Sequence, residues 1–376
     1  MRNVIASLAR RIIRQVRRDE RGAIGILVGA LIGFGVLTGM GALVIDVGQL
    51  YQERAEVQNG ADAAALGVAK SCALGSCDPS VAAGYANANA SNLTGGSAGV
   101  NLICGSGAGL PSCPGSTGAL TDCPPAIAAN YADVYTSTQT ASGSTLLPPV
   151  LAQTMLGNSG YQGANVVACS QASWGAPASA TAAGFTIPAC EWDQATQQGT
   201  SFAPPPTYPP NPPPSPSFDQ VLALTATGNG GSGCSTEPGG ADGPGTFSWI
   251  AAPGNDCNTA ISPPTFTGIN GSPPTSQCEQ LLQSAQQNQT PLLLPIYVSV
   301  ANPAGPPPTY TLKGFAEFVV TGYNLPDTFA SDWLNPANDC QASSYCLNGY
   351  FTQGVVPFTG SINGTDLGAS VIKLTG

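Results

Sequence analysis

The chain contains no histidine. That absence removes imidazole general bases, Ser-His and Cys-His dyads and imidazole metal ligands together. Charge is scarce as well: 9% of the 376 residues are Asp, Glu, Lys or Arg, against about 25% in ordinary soluble domains. The 12 cysteines include no C-x-x-C pair, so a structural zinc site would need four scattered thiolates. With 47 Gly and 34 Pro a long all-helical fold is excluded, whereas a 42% hydrophobic content supplies apolar material for a core.

The few charges are unevenly placed. Residues 1–21 hold seven Arg against Asp19 and Glu20, a net +5, whereas from Asp46 onward four bases (Arg54, Lys70, Lys313, Lys373) face nineteen acids, a net −15. Between these blocks 22–45 is free of charge. A helix from Ala23 to Ile45 would reach about 35 Å at ~1.5 Å per residue, enough to cross a hydrocarbon core of roughly 30 Å. A transmembrane helix is therefore expected at 22–45. The arginines on its N-terminal flank predict a cytoplasmic N-terminus and an extracytoplasmic remainder, a single-pass arrangement in the cell membrane. An uncleaved anchor is favoured over a secretory signal, whose apolar region runs only ~7 to 15 residues. Nucleic acid is not an expected partner, because most of the basic charge sits beside the membrane.

In Met1 to Arg21 the residues Val4, Ile5, Leu8, Ile12, Ile13 and Val16 fall near i, i+4 spacing with Arg on the other face. This suits a helix lying on the anionic inner leaflet of the lipid bilayer, or a basic flank with incidental periodicity. Within the span Gly25, Gly29 and Gly33 recur every four residues and open one face for close helix packing, including self-association. From Val47 the helical spacing continues through Leu50, Tyr51, Val57, Ala61, Ala64, Ala65 and Val68, predicting one rod from about Ala23 to about Lys70 with a weak point at Gly60.

The string from Asp19 to Lys70 resembles the N-terminal segment of Tad (tight-adherence, Flp-type) pilus-assembly proteins of the TadE/TadG-like group. The matching residues are Glu20, Arg21, Gly22 and Ala23, then Asp46, Gly48 and Tyr51, then Gln58, Asn59, Ala61, Asp62 and Ala63 to Leu66. Farther on, Val166 to Pro177, Pro188 to Thr196, Leu312 to Tyr323 and Cys346 to Phe351 resemble the ectodomain of actinobacterial TadG-related proteins. The resemblance implies a non-enzymatic, membrane-anchored pilus-assembly component, an assembly factor or minor pilin-like subunit, whose partners are pilus or assembly-platform membrane proteins. Cleaved prepilins of this system carry Glu at the fifth position after the cut-site glycine; here that position is Leu27, so processing at Gly22 is not implied. The D-x-S-x-S metal string of some TadG proteins is absent, so metal-dependent adhesion is not implied either.

The expected fold is α+β: a basic segment (1–21), the membrane helix (22–45), an amphipathic stalk (46–71) and a two-lobed, β-rich, disulfide-bonded ectodomain. Its first lobe (72–202) reads as loop-rich to about residue 130, then as strands at Tyr131 to Ala141 and Ala164 to Ser173 around a short helix at Pro148 to Leu156. A Pro-rich linker (203–217) precedes a second lobe (218–376) with strands at Val221 to Thr227, Thr246 to Ala251, Leu292 to Val300, Thr309 to Leu325, Tyr350 to Phe358 and Ala369 to Leu374, and a helix at Gln280 to Gln289. All cysteines lie outside the membrane, and local spacing favours the bridges Cys72 to Cys77, Cys257 to Cys278 and Cys340 to Cys346.

The catalytic strings fail on chemistry. GGSAG (Gly95 to Gly99) lacks a histidine partner, and SVIK (Ser370 to Lys373) lacks its companion motifs. Glu191 and Asp193, read as i, i+2 residues on a strand, would merely share a face. No enzyme activity, cofactor or metal is expected. The other readings are a cell-surface adhesion or ligand-binding protein on the same anchor, and a histidine-free hydrolase using a carboxylate pair.

Overall fold

The computed structural model describes residues 2–90, 96–115, 122–146, 163–206, 214–223, 248–250, 257–269, 276–301, 307–325, 328–338, 346–357 and 360–376, with side chains from Ile24 onward. It is a mixed α+β protein. Helix α1 (Arg2–Ala73) is one 72-residue element. It begins well before the expected start at Ala23 because residues 2–21 contain neither Gly nor Pro and nothing interrupts the helix. It ends where Leu74 N–H donates to the Lys70 carbonyl (3.1 Å) and Gly75 takes φ +82°, a conformation that suits glycine after a helix C-terminus.

Helix α2 (Val81–Asn89) and strand β1 (Ser97–Gly105) fall in the stretch the composition marks as loop-rich. Composition misled there because the helix buries only small residues: Ala82, Ala86 and Ala90 recur four apart on its inward face. Next come β2 (Tyr131–Gln139), β3 (Val167–Gly175), β4 (Pro177–Ala183), β5 (Phe185–Pro188) and helix α3 (Ala189–Ala195). After the Pro-rich segment follow β6 (Gln220–Ala223), β7 (Ser248–Trp249), β8 (Asn258–Ile261), β9 (Thr265–Thr267), helix α4 (Ser276–Asn288), β10 (Leu292–Ala301), β11 (Thr309–Leu325) and β12 (Thr328–Ala330). The chain closes with β13 (Cys346–Thr352), β14 (Gly354–Val355), β15 (Ser361–Ile362), β16 (Thr365–Asp366) and β17 (Ala369–Leu374). The short helix expected at Pro148 to Leu156 and the centre of the Pro-rich linker lie outside the described residues.

The chain divides into two compact units, 1–63 with 83–101 and 135–169, and 64–82 with 102–134 and 170–376. In the first, Val57 and Ala61 of α1 form an apolar cluster with Ala168 of β3, and Thr136 of β2 donates to the Val57 carbonyl (3.0 Å). Gly60 is buried in the same unit. A Cβ there would lie 2.9 Å from Ala98 Cβ and 3.1 Å from Ala90 Cβ, so the expected weak point is a close crossing that only glycine permits.

The second unit is built on β11, 17 residues long and antiparallel to both β10 and β13, in a nine-stranded sheet along the order β6-β13-β11-β10-β5-β7. Phe318, Val320, Leu347 and Phe351 cover one face, packed with Leu282 and Ala285 of α4 and Trp192 of α3. The Cys257–Cys278 disulfide fastens α4 to this core. Strand β5 pairs parallel with β10, Ile187 opposite Ile296, so residues on both sides of the Pro-rich segment share one sheet. In the same unit residues 172–175 of β3 pair with β17, and β15-β4-β8 make a small third sheet.

Two segments differ from the expected elements. The CEWDQ segment is the helix α3, not a strand: Pro188, at φ −69°, leads into a turn that buries Trp192. The strand expected over Tyr350 to Phe358 stops at Thr352, and β14 joins β17 instead. A Cβ at Gly354 would sit 2.1 Å from a Glu317 carboxyl oxygen, so the chain turns at a residue without one.

Replacing Gly60 by Leu is expected to cost about 1–3 kcal/mol, the usual range for overpacking. Denaturant unfolding of the full chain in detergent checks the loss, and faster amide exchange in α2 would locate it.

Candidate functional site

The apolar part of α1 is the least ordinary surface of the molecule. Ile26, Phe34 and Leu37 are 76%, 74% and 72% exposed, and Leu31, Met40, Leu43 and Val44 are exposed with them. A helix that is apolar on every side and left exposed by the described residues has the surface of a membrane span. Among the described residues it is the one helix long and apolar enough to cross a bilayer. At Gly25, Gly29 and Gly33 nothing among the described residues comes within 4 Å of the point where a Cβ would stand, so among them the missing side chains serve no internal packing. They form an open strip along which another helix can approach.

Beyond the span the same helix becomes a packed stalk. Asp46 is half-buried, Gly48 is unpacked, and Tyr51 is 73% exposed, an aromatic of the kind that settles at the membrane–water boundary. Gln58 then turns inward, its Nε2 donating to Asp62 Oδ1 (2.8 Å) and to the Cys169 carbonyl (3.2 Å), while Asn59 stays exposed and Ala61 is fully buried. In the second unit Ala64, Ala65, Val68 and Ala69 are fully buried. Cys72 bonds to Cys77, and Gly107 lies against both sulfurs, where a Cβ would fall 2.5 Å from Cys77 Sγ.

This span and stalk coincide with a known family. Residues 22–71 match the Tad family model, whose description is "Putative Flp pilus-assembly TadE/G-like". No curated protein and no solved structure matches the chain. The Tad segment thus contains two surfaces of opposite kind: an apolar half with an open glycine strip, and a polar half whose Gln58, Ala61 and Asp62 are spent on the chain's own packing.

The remaining site candidates are dispersed. Cys104 and Cys113 form a disulfide, Cys123, Cys169, Cys190 and Cys346 are also disulfide-bonded, and Cys340 lies outside the described residues. Asp193 pairs with Lys313 (3.2 Å), whose ammonium also stands over the Trp192 ring at 5.2 Å; Glu191, on the same short helix, is pushed above the usual carboxylate range by burial. Ser97 lies in β1, donating weakly to Gln139 (3.4 Å), and Lys373 lies in β17 opposite Ser173.

Sequence reasoning missed a buried acidic group in the second unit. Asp219, just before β6, accepts from Thr321 Oγ1 at 2.8 Å, and the Asn348 amide donates to Asp219 (3.4 Å) and Asp332 (3.0 Å). Burial and the neighbouring Asp332 push Asp219 up to about 8, and burial alone pushes Glu317 up to about 7. The one visible signal was Glu317 itself, an acid inside the apolar run GFAEFVVTG.

Substituting Gln58 by Ala is expected to lower stability by about 1–2 kcal/mol, because the Cys169 carbonyl and Asp62 both lose a donor. Equilibrium unfolding compared with an Asn59→Ala control, expected to stay within about 0.5 kcal/mol, checks this.

Proposed function

We propose that this protein is a non-enzymatic, membrane-anchored component of Tad/Flp-type pilus assembly. The observation that carries the reading is the Tad segment, residues 22–71, folded as a lipid-type helix with an unfilled glycine strip running into a packed stalk. The seven arginines in residues 1–21 favour an N-terminus in the cytoplasm and the disulfide-bonded β-rich part outside, where disulfides persist. In the membrane Gly25, Gly29 and Gly33 receive a helix of a pilin, of an assembly-platform protein or of a second copy, and van der Waals packing along the strip holds the pair. Outside, the β-rich part supplies subunit contacts. Whether the chain enters the filament or stays in the membrane separates the minor-pilin from the assembly-factor role.

Sheared filaments and membranes from native cells, probed for the chain and its N-terminus, test the proposal together with filament counts in a deletion strain. Recovery in filaments gives the subunit role; membrane retention with filaments lost on deletion gives the assembly role. Undisturbed filaments would sink both and favour an adhesion or ligand-binding protein on the same anchor. Gly29→Leu is expected to lower piliation while membrane insertion is kept and Tm does not fall, and unaltered piliation would remove the helix-packing mechanism.

A further inference from the structure

On one face of β11 and β13 polar and apolar residues alternate: Glu317 opposite Thr352 and Val319 opposite Tyr350, followed by a register shift between Val320 and Gly322 that brings Thr321 to the level of Asn348. The opposite face carries the main apolar core, so this one is the less usual half of the sheet. Two segments from elsewhere cover it. One carries Asp219 into β6; the other follows β12 and carries Asp332, whose Oδ1 accepts from Leu334 N–H (2.8 Å) and Asn335 N–H (3.0 Å). Asp219, Thr321, Asp332 and Asn348 are all buried, at 7%, 0%, 1% and 0% exposure.

Asn348 Nδ2 donates to both carboxyls, so two buried acids stand side by side on one neutral amide. Two buried like charges that close disfavour each other's ionised form, which favours a proton on one of them. No basic group contributes at Asp219, and Lys313, one of only four bases after residue 45, is held by Asp193. Among the described residues the other side chains around the pair do not supply positive charge. Tyr350 of β13 is fully buried, its hydroxyl has no hydrogen-bond partner among the described residues, and it lies close enough to Asp219 to feel its charge. Glu317 of β11 is a further acid on the same face. From β6 the adjoining side chain is the neutral Gln220. Helix α4 reaches the covering loop through Gln286, which donates to the Ser331 carbonyl (3.4 Å) as well as to the Thr321 carbonyl of β11 (3.2 Å), and its one acid, Glu279, lies about two turns away.

We propose that Asp219, buried beside Asp332, holds a proton and that the cluster they form with Thr321 and Asn348 is a pH-sensitive latch, which ties the start of β6 and the loop 331–335 onto β11 and β13 and loosens when the proton leaves. The direction of the response follows from where the proton is held. Burial and the neighbouring Asp332 push Asp219 up to about 8 from its ordinary 3.8, so between these values the folded state favours the proton that the unfolded chain gives up. Its stabilising effect is complete below about 4 and is lost as pH rises through about 8. Glu317, raised to about 7, acts in the same direction.

Amide exchange of β6 and 331–335 in the full chain in detergent, corrected for intrinsic rates and followed from about pH 5 to about pH 9, reads the latch directly. Exchange is expected to rise at least about tenfold, the equivalent of one pKa unit, and by less than about twofold in Asp219→Asn, whose amide N–H replaces that proton. Glu317→Gln is the control and should leave the local response in place. If Asp219→Asn does not fold, the infrared carbonyl band of a protonated carboxyl in Glu317→Gln, which keeps Asp219, takes its place: the band should be present near pH 6 and gone near pH 9. An unchanged pH response in Asp219→Asn, no such band, or protection gained on adding calcium with release of a proton would each overturn the proposal.

Discussion

The structure depends on one constraint: an uninterrupted run of apolar residues cannot leave its backbone polar groups without partners. In hydrocarbon the α-helix satisfies them within the segment, so 22–45 must be helical whatever surrounds it. What is less obvious is that the helix passes both ends of that run without a break. Residues 2–21 continue it on the basic side and 46–73 on the acidic side, although the three stretches differ completely in charge. The surroundings change along the rod while the local rule, no proline and no competing cap, does not. Only after Ala73 do Gly75 and the Cys72–Cys77 bridge end it.

The extramembrane part meets a different constraint. With so few charges and so many Gly and Pro, it has little surface electrostatics and a highly flexible unfolded chain, so stability must come from burial and cross-links. Aromatic and aliphatic residues on β11, β10 and β13 provide the first. Disulfides such as Cys257–Cys278 provide the second, typically about 2–4 kcal/mol each, by narrowing the unfolded ensemble. Scarcity of bases has a consequence for the acids. Where the fold buries Asp219, Asp332 and Glu317 there is no cation to spare, and a proton, an amide and a hydroxyl take that place.

The parts legible in the sequence were those set by local pattern. Apolar length gave the exposed apolar helix, helical spacing its continuation to about residue 70, and strand-like patterns gave β2, β10, β11 and β17. Close cysteine spacing pointed to Cys72–Cys77 and Cys257–Cys278, which the structure forms. The parts hidden were non-local. Nothing near Phe185 announces that Ile187 will pair in parallel with Ile296, because that partner is decided by the whole sheet. CEWDQ was read as a strand with Glu191 and Asp193 on one face, yet it is a turn of helix that buries Trp192 in the core beside β11. Asp219, Asp332 and Asn348 are ordinary singly, and only the fold brings them together.

Glycine shows the same division between local and non-local cause. Gly60 and Gly29 lie in one helix and look alike in sequence, each a small residue in an apolar pattern. At Gly60 the reason is inside the molecule, since Ala98 and Ala90 occupy the space a side chain would need. At Gly29 the chain itself leaves that space open, as it does at Gly25 and Gly33. A glycine costs a helix roughly 1 kcal/mol relative to alanine, so three of them without internal use are a standing cost to the isolated subunit. A partner helix seated against the strip, as proposed above, would offset that cost through contacts that larger residues forbid.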